Sequence, residues 1–544
     1  VKRIIYAGAA LALLAAAPAA ANETDFFDCD GFKVPTAAAD GTASSWGGMY
    51  PLAGDADEAS KKAAVASCDA ALADPLLQPQ FALRRFLLLR SKALYQIALK
   101  QGAEAKATLD QAEAVRARLA PGALGGQADA GLALIRAYAD YLRGDAVAAR
   151  AALDAIEKAN PYSTQTAALA FGMRATFDPD TAAVRRAMLA RVPTDPAVLN
   201  QVFWLALYYD DFAEGVRLGP QVSFELPRGR GDSHITGIEN RKYEVVSYRA
   251  EYAGATAYAL AATGQADAAR AAIAQGRKDA VTATATADPS VKRNAGDQFA
   301  DRNQRNWALE AANKKLDLWE RAIALRAQAP TMTAEEFIAV KEVKDLPVTI
   351  DLLRQLRLKS PAEQAILRQT IDKLAARRDT EMRELGKIDL SAFANLLPRP
   401  GAARGTPKFR SAGIGILFDD SNGFYVKQEP RSPYVAVRYG DKYAPKWAIE
   451  ELTLLAAANA ARKAGKDSFL IDTRMMIDRT ITTTQYGRTL GTSSNGAELR
   501  YRILPVNAAE LPAEMESRRW RLIRAQAVID ALGAKYQPPA GSKR

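Results

Sequence analysis

Residue types that carry chemistry are scarce in this chain. Its 544 residues include one histidine, His234, and two cysteines, Cys29 and Cys68. A His-Glu-x-x-His motif needs two imidazoles, and haem or iron–sulfur sites need clusters of such ligands, so no metal or cofactor is expected. Nucleophilic catalysis lacks its parts as well. There is no Gly-x-Ser-x-Gly elbow and no serine followed three residues on by lysine, and a Ser-His-Asp site would have to use His234. Gly465-Lys466 lacks the glycine loop and the serine of a phosphate cradle. That leaves carboxylate pairs. Asp210-Asp211 falls at a helical turn and Asp419-Asp420 at a hairpin turn, where capping accounts for both. Two carboxylates that meet in space would suit glycosidic cleavage, and this keeps an enzyme reading as the alternative.

The chain opens on an address. Lys2 and Arg3 precede an apolar run, Ile4 to Ala17, and then Pro18 and Ala19-Ala20-Ala21. This is the pattern of a secretory signal cut after Ala21. The run is about 14 residues, short of the roughly 20 a spanning helix needs, and no second long run follows. A periplasmic or secreted chain is therefore expected. In an oxidising compartment an even cysteine count favours a Cys29–Cys68 disulfide, tying residues 22–75 onto the first helices. Closing a loop of that length is worth about 3–4 kcal/mol in the chain-entropy model.

From Leu76 to Lys278 alanine-rich helical segments alternate with turns at Gly102, Gly144-Asp145, Asp178-Pro179, Asp210-Asp211 and Gly264. Five residues after each turn anchor stands a small residue: Ala107, Ala149, Ala183, Gly215, Ala269. Six or seven before it stands an aromatic: Tyr95, Tyr138, Phe171, Phe203 with Trp204, Tyr258. The spacing is 34 residues from Gly144 to Asp178 and 32 more to Asp210. The Gly-rich stretch Pro121–Gln127 and an insertion over 223–242 account for the longer intervals. A small residue on a second helix lets it approach the ring on the first, and stacked pairs bury the remainder. Here the chain resembles the tetratricopeptide-repeat (TPR) family, as a secreted bacterial member would. The likeness is nearest in Ala133–Pro161, where Ala137, Gly144-Asp145, Ala149, Leu153 and Pro161 match that family's positions. It implies a TPR-like α-solenoid of antiparallel helix pairs over 76–280, a binding surface, and no chemistry. The insertion carries Arg228, Arg230 and His234, suited to an anionic contact. With Tyr208 and Tyr209 these are the candidate binding residues.

Residues 291–395 read as long basic helices. Trp307, Ala311, Leu318, Ala322 and Leu325 form one stripe, Thr333–Glu336 opens a shorter helix, and Ser360-Pro361-Ala-Glu363 caps a helix reaching Leu385. Leu367, Ile371 and Leu374 mark the buried side of that last helix. Leu396–Lys408 is a linker rich in proline. Beyond it the period changes to two. Gly413–Phe418, Phe424–Lys427, Tyr434–Tyr439, Phe469–Ile471 and Leu499–Ile503 read as strands around a helix over Ala448–Ala464. Glu450 and Glu451 fall in the first turn of that helix, complementing its dipole. Ile481–Gly496 reads as a Thr/Ser/Gly loop. A helix is expected over 510–533, packing through Trp520, Ile523 and Ile529. The module over 409–505 is loosely similar to small modules of bacterial envelope lipoproteins.

The fold expected is thus mainly α: repeats, long helices, then a small C-terminal α+β domain. Residues 291–544 hold 43 basic against 30 acidic residues, which favours an anionic envelope polymer or membrane surface. Nucleic acid is not expected as a partner, because such a compartment seldom offers it. The leading expectation is an extracytoplasmic non-enzymatic binding or scaffold protein with a protein or envelope-polymer partner. The alternatives are a hydrolase of envelope polymer, with its site in the C-terminal module, and an adaptor whose C-terminal module binds a second copy of itself.

Overall fold

The computed structural model describes residues 23–42, 56–119, 128–177, 181–223, 241–286, 295–333, 346–385, 390, 393, 407–412, 422–442, 444–485 and 488–536. The chain is mainly α with an α+β domain at its C-terminal end. It divides into two compact units. The first holds residues 1–161, 168–173 and 388–406; the second holds 162–167, 174–387 and 407–544. Among the described residues no helix is long and apolar enough to cross a membrane.

The first unit contains α1 (Glu23–Asp30), α2 (Glu58–Ala73), α3 (Ala82–Ala98), α4 (Gly102–Arg116), α5 (Ala128–Leu142) and α6 (Ala146–Ala159). The Cys29–Cys68 disulfide is formed and joins α1 to α2. The second unit contains α8 (Thr181–Arg191), α9 (Ala197–Tyr208), α10 (Phe212–Leu218), α11 (Arg241–Ala262), α12 (Ala266–Ala285) and α13 (Ala295–Gln328). Helix α7 (Thr164–Phe177) contributes residues to both units.

One helical corner recurs four times with the same backbone. Lys100, Gly144, Asp210 and Gly264 each take a left-handed φ, between 60° and 89°. The N–H of the next residue turns back onto the preceding helix: Gln101 to Gln96 O (2.8 Å), Asp145 to Asp140 O (3.0 Å), Asp211 to Ala206 O (2.8 Å), Gln265 to Leu260 O (2.8 Å). The carbonyl of that same residue then accepts the first bond of the following helix, from Ala105, Ala149, Gly215 and Ala269 respectively. Helix stop and helix start are fused, so two helices must fold back on each other. The four residues that donate this bond are small and buried.

The corner corrects the register expected for the first repeat. Its left-handed residue is Lys100, not Gly102, and its buried small residue is Ala105, while Ala107 is exposed. Gly102 serves close approach instead: a Cβ there would come within 2.8 Å of Leu142 Cβ. The aromatics share burial more than surroundings. Tyr95, Phe203 and Tyr258 are fully buried, Phe171 is buried, and Tyr138 is half-buried against Tyr141. Tyr95 donates to Cys29 O, Phe203 stacks on Tyr252, and Tyr258 packs between Phe212 and Trp319. The turn at Asp178 lies outside the described residues.

In the second unit α13 packs on α11 and α12. Gly254 leaves the space that the fully buried Trp319 fills, since a Cβ there would stand 2.5 Å from the indole. The buried stripe of α13 is Ala308, Ala312, Leu316, Trp319, Ala322 and Leu325: Ala322 and Leu325 are buried as expected, Ala311 and Leu318 are half-buried, and Trp307 is 59% exposed. Next come α14 (Thr349–Gln355) and α15 (Pro361–Leu385), the latter starting on Pro361 as its sequence requires. On α15, Leu367, Ile371 and Leu374 are half-buried.

Five strands form an antiparallel sheet in the order β1-β2-β4-β3-β5: β1 (Gly423–Gln428), β2 (Val435–Asp441), β3 (Ser468–Gln485), β4 (Arg488–Val506) and β5 (Ile523–Arg524). Helices α16 (Lys446–Lys463) and α17 (Ala525–Tyr536) cover one face, burying Tyr439, Leu452, Phe469, Leu499, Tyr501 and Ile503. Alternation along β4 puts Leu499, Tyr501 and Ile503 on that face, as the sequence demands. The expected strand over 413–418 lies outside the described residues. Three differences stand out. Of the expected loop over 481–496, residues 481–485 and 488–496 belong to the long strands β3 and β4, because β-branched threonines favour extended backbone. The expected helix over 510–533 is a 3-10 stretch (Ala513–Arg521), then β5, then α17, since Pro512 leaves the backbone extended and β5 pairs with β3. Glu450 and Glu451 lie beyond the first turn of α16 and are buried.

Candidate functional site

Tyr208 and Tyr209 end α9 at the third corner, and the structure places both against α15. Tyr208 donates its hydroxyl to Glu381 Oε2 (2.9 Å), and its carbonyl accepts from Arg378 Nη1 (3.0 Å). The Arg378 guanidinium lies 4.2 Å from the Tyr209 ring centre, with Arg185 at 5.3 Å. Burial, reinforced by the nearby Asp379 charge, pushes the Tyr209 hydroxyl up to about 12. The adjacent carboxylates are occupied too. Asp210 pairs with Arg354, and Asp211 pairs with Arg185 (3.1 Å) while capping α10 through Glu214 N–H. This corner joins α9 to α15, and burial, with the nearby Asp351 carboxylate, raises Asp210 against the pull of Arg354.

Arg228, Arg230 and His234 lie outside the described residues, as do Asp419 and Asp420. The segment bearing the first three has a described root. The Gln221 side chain accepts from Trp520 Nε1 (3.2 Å), and its carbonyl accepts from Arg521 Nη1 (3.3 Å). Ser223 donates to Asp472 Oδ2 (3.1 Å). Asp472 is the bulged residue of β3, which aims its carboxylate away from the ladder and toward Arg502 (2.8 Å) and Arg518 (3.7 Å). Arg502 in turn lies 3.6 Å from the Tyr434 ring centre. At the other end of the insertion, the Tyr243 hydroxyl donates to Asp301 in α13. The described residues on either side of 224–240, Gln221 and Ser223 before it and Tyr243 after it, are therefore held by hydrogen bonds.

Sequence reasoning missed a second constellation. Glu450, 6% exposed, pairs with Arg474 and accepts from the Thr164 hydroxyl. Arg474 also approaches Asp195 (3.8 Å), which lies 3.8 Å from Arg191. Glu451, next along the chain, accepts from Lys535 Nζ (2.6 Å) and the Tyr536 hydroxyl (2.5 Å). Burial pushes Glu450 up, against the pull of Arg474 and the Thr164 hydroxyl. The signal available was weak: two glutamates inside an otherwise alanine- and leucine-rich helix.

Chemically, these groups are spent on one another. The carboxylates meet guanidinium, ammonium or hydroxyl partners, and these pairs tie helix to helix and helix to sheet. Among the described residues no group of three or more histidine, cysteine or acidic side chains could hold a metal. No known family model, curated protein or solved structure matches the chain.

Proposed function

We propose that the protein is an extracytoplasmic, non-enzymatic binding protein of the tetratricopeptide type, with the 224–240 insertion as its contact with a protein partner. The observation that carries this reading is the fixed root. Gln221 and Ser223 on one side and Tyr243 on the other anchor a segment bearing two arginines and the sole histidine. Contact loops on rigid supports bind with less loss of conformational entropy. The four like corners support helical repeats, and the disulfide fits an oxidising compartment, periplasmic or secreted.

The test is capture of partners from envelope extracts by the mature chain. Joint replacement Arg228→Ala, Arg230→Ala and His234→Ala is expected to leave the melt unchanged and abolish capture. Undiminished capture would overturn the reading. Retention of isolated anionic envelope polymer, lost with the same variant, would reassign the partner's class. Tyr208→Ala and Tyr209→Ala are expected to lower the melting temperature, because they strip α15 of its dock.

A further inference from the structure

The β3–β4 hairpin outruns the domain that supports it. Strand β2 stops at Asp441, paired with Ala497, and β5 pairs only with Ser468 and Phe469. The helix layer ends at the same level, where Lys446, the first residue of α16, pairs with Asp478 (2.8 Å). Beyond it Thr480–Gln485 and Arg488–Ser494 pair only with each other. Among the described residues this ribbon has no third strand on either side. A two-stranded ribbon is marginal alone, and natural edges are blunted by lysine, proline or bulges.

The two edges are not equivalent. On β4 the ladder skips Asn495 and Gly496, then Leu490, so that edge is broken by bulges. Gly496 there takes φ 87° and is pressed against Asp441 and Lys442, leaving no room for a Cβ. On β3 the six residues from Thr480 to Gln485 pair without omission and include no charge, no proline and no glycine. Among the described residues of the ribbon, only the β3 edge runs unbroken.

We propose that this β3 edge pairs antiparallel with the same edge of a second copy. A strand edge is complementary to its own two-fold image, and the contact closes on itself. With the axis at Thr482, Thr480 meets the second copy's Thr484 and Ile481 meets its Thr483. Threonine pairs are favourable opposite one another on neighbouring strands. No like charges meet: the nearest, Arg479, falls opposite Gln485, and Asp478 is already paired with Lys446. The two ribbons become four strands, past the two-stranded size that is marginal alone.

Sedimentation of the mature chain across a concentration series tests this. Wild type is expected to show a dimer at micromolar concentration, with Thr482→Ser unchanged. Thr482→Lys sets like charges across the axis and is expected to sediment as a monomer with an unaltered melt. Mixing Thr482→Lys with Thr482→Glu chains is expected to restore a mixed dimer. Should Thr482→Lys fail to fold, Thr482→Cys with a short bis-maleimide decides, and a covalent dimer is expected. A monomer at every concentration overturns the proposal and leaves the edge to a partner's strand. A dimer indifferent to Thr482→Lys, or no cross-link at Thr482→Cys, overturns it too. None of these outcomes bears on capture through the insertion.

Discussion

Asp30 in the first unit and Glu450 in the second are both almost wholly buried, and both meet a guanidinium, yet their settings differ. Asp30 pairs with Arg84 (2.8 Å), which is fully buried and lies over the rings of Phe26 and Phe32. A disulfide at the neighbouring Cys29 and a hydrogen bond from Tyr95 to the Cys29 carbonyl close the arrangement. It is a local lock, fastening α1 to α2 and α3. Glu450 sits in an alternating chain of charges, Glu450–Arg474–Asp195–Arg191, with Thr164 at one end. That network joins α7, the turn before α9, the sheet and α16 across 286 residues of sequence. Burial opposes the charge on Arg474, and Glu450 with Tyr501 and Asp195 overcomes it, so the guanidinium is held above its ordinary value. One unit secures buried charge with a covalent bond, the other with more charge.

Removing one member of a buried pair leaves the other stranded, which costs about 3–5 kcal/mol. Arg474→Met is expected to lose that much, with hydrogen exchange rising across β3, α16 and the start of α7. Arg474→Met with Glu450→Leu should recover most of it, since no charge is then stranded. Arg84→Met is expected to cost a similar amount, with exchange rising only in α1 to α3. If either variant loosened both units alike, the distinction between local lock and long-range tie would fail. The covalent part is separable. Cys29→Ala with Cys68→Ala is expected to cost about 2–5 kcal/mol, confined to the first unit.

Titration probes the same contrast at smaller scale. Burial raises Asp30 to about 7, against the pull of Arg84, whereas the unfolded chain loses that proton near pH 4. Between these values the folded state binds more protons, so stability falls as pH rises through the window. Asp30→Asn should flatten that slope in the first unit. Glu450 is also raised, so the second unit should lose stability in the same direction from about pH 4.5 upward, and Glu450→Gln should remove the trend. A slope of opposite sign in either unit would show the carboxylate ionised by its arginine.

Legibility followed the range of the forces involved. The disulfide, the Ser360-Pro361 helix start and the alternation of β4 rest on local pattern, and the structure shows each. The Lys100 corner was misread because glycine is the usual left-handed residue, and Gly102 two positions later drew the register. Ile481–Gly496 was misread because threonine, serine and glycine suit loops and ribbons alike, and pairing decides. Glu450 was read as a dipole partner because nothing local announces that Arg474 and Asp195 converge on it. Tyr208 and Tyr209 looked presentable in the sequence, but Arg378 and Glu381, about 170 residues on, pack against them.

The corners carry the comparison down to single residues, since both units use the same backbone there with different side chains. Lys100 and Asp210 hold left-handed φ values of 60° and 61° at a steric cost of about 1–2 kcal/mol each. Lys100 is exposed and caps nothing, so Lys100→Gly should relieve strain and raise the stability of the first unit by up to about 1 kcal/mol. Gly144→Ala, where a Cβ meets nothing within 4 Å, should lose about 1 kcal/mol through the backbone alone. Asp210→Gly relieves the same strain but releases Arg354 from its ion pair. Its gain should be offset, leaving the melt within about 0.5 kcal/mol of wild type. A gain at Asp210 equal to that at Lys100 would mean that the second unit does not rely on charge at its turns, and that its network is confined to the sheet.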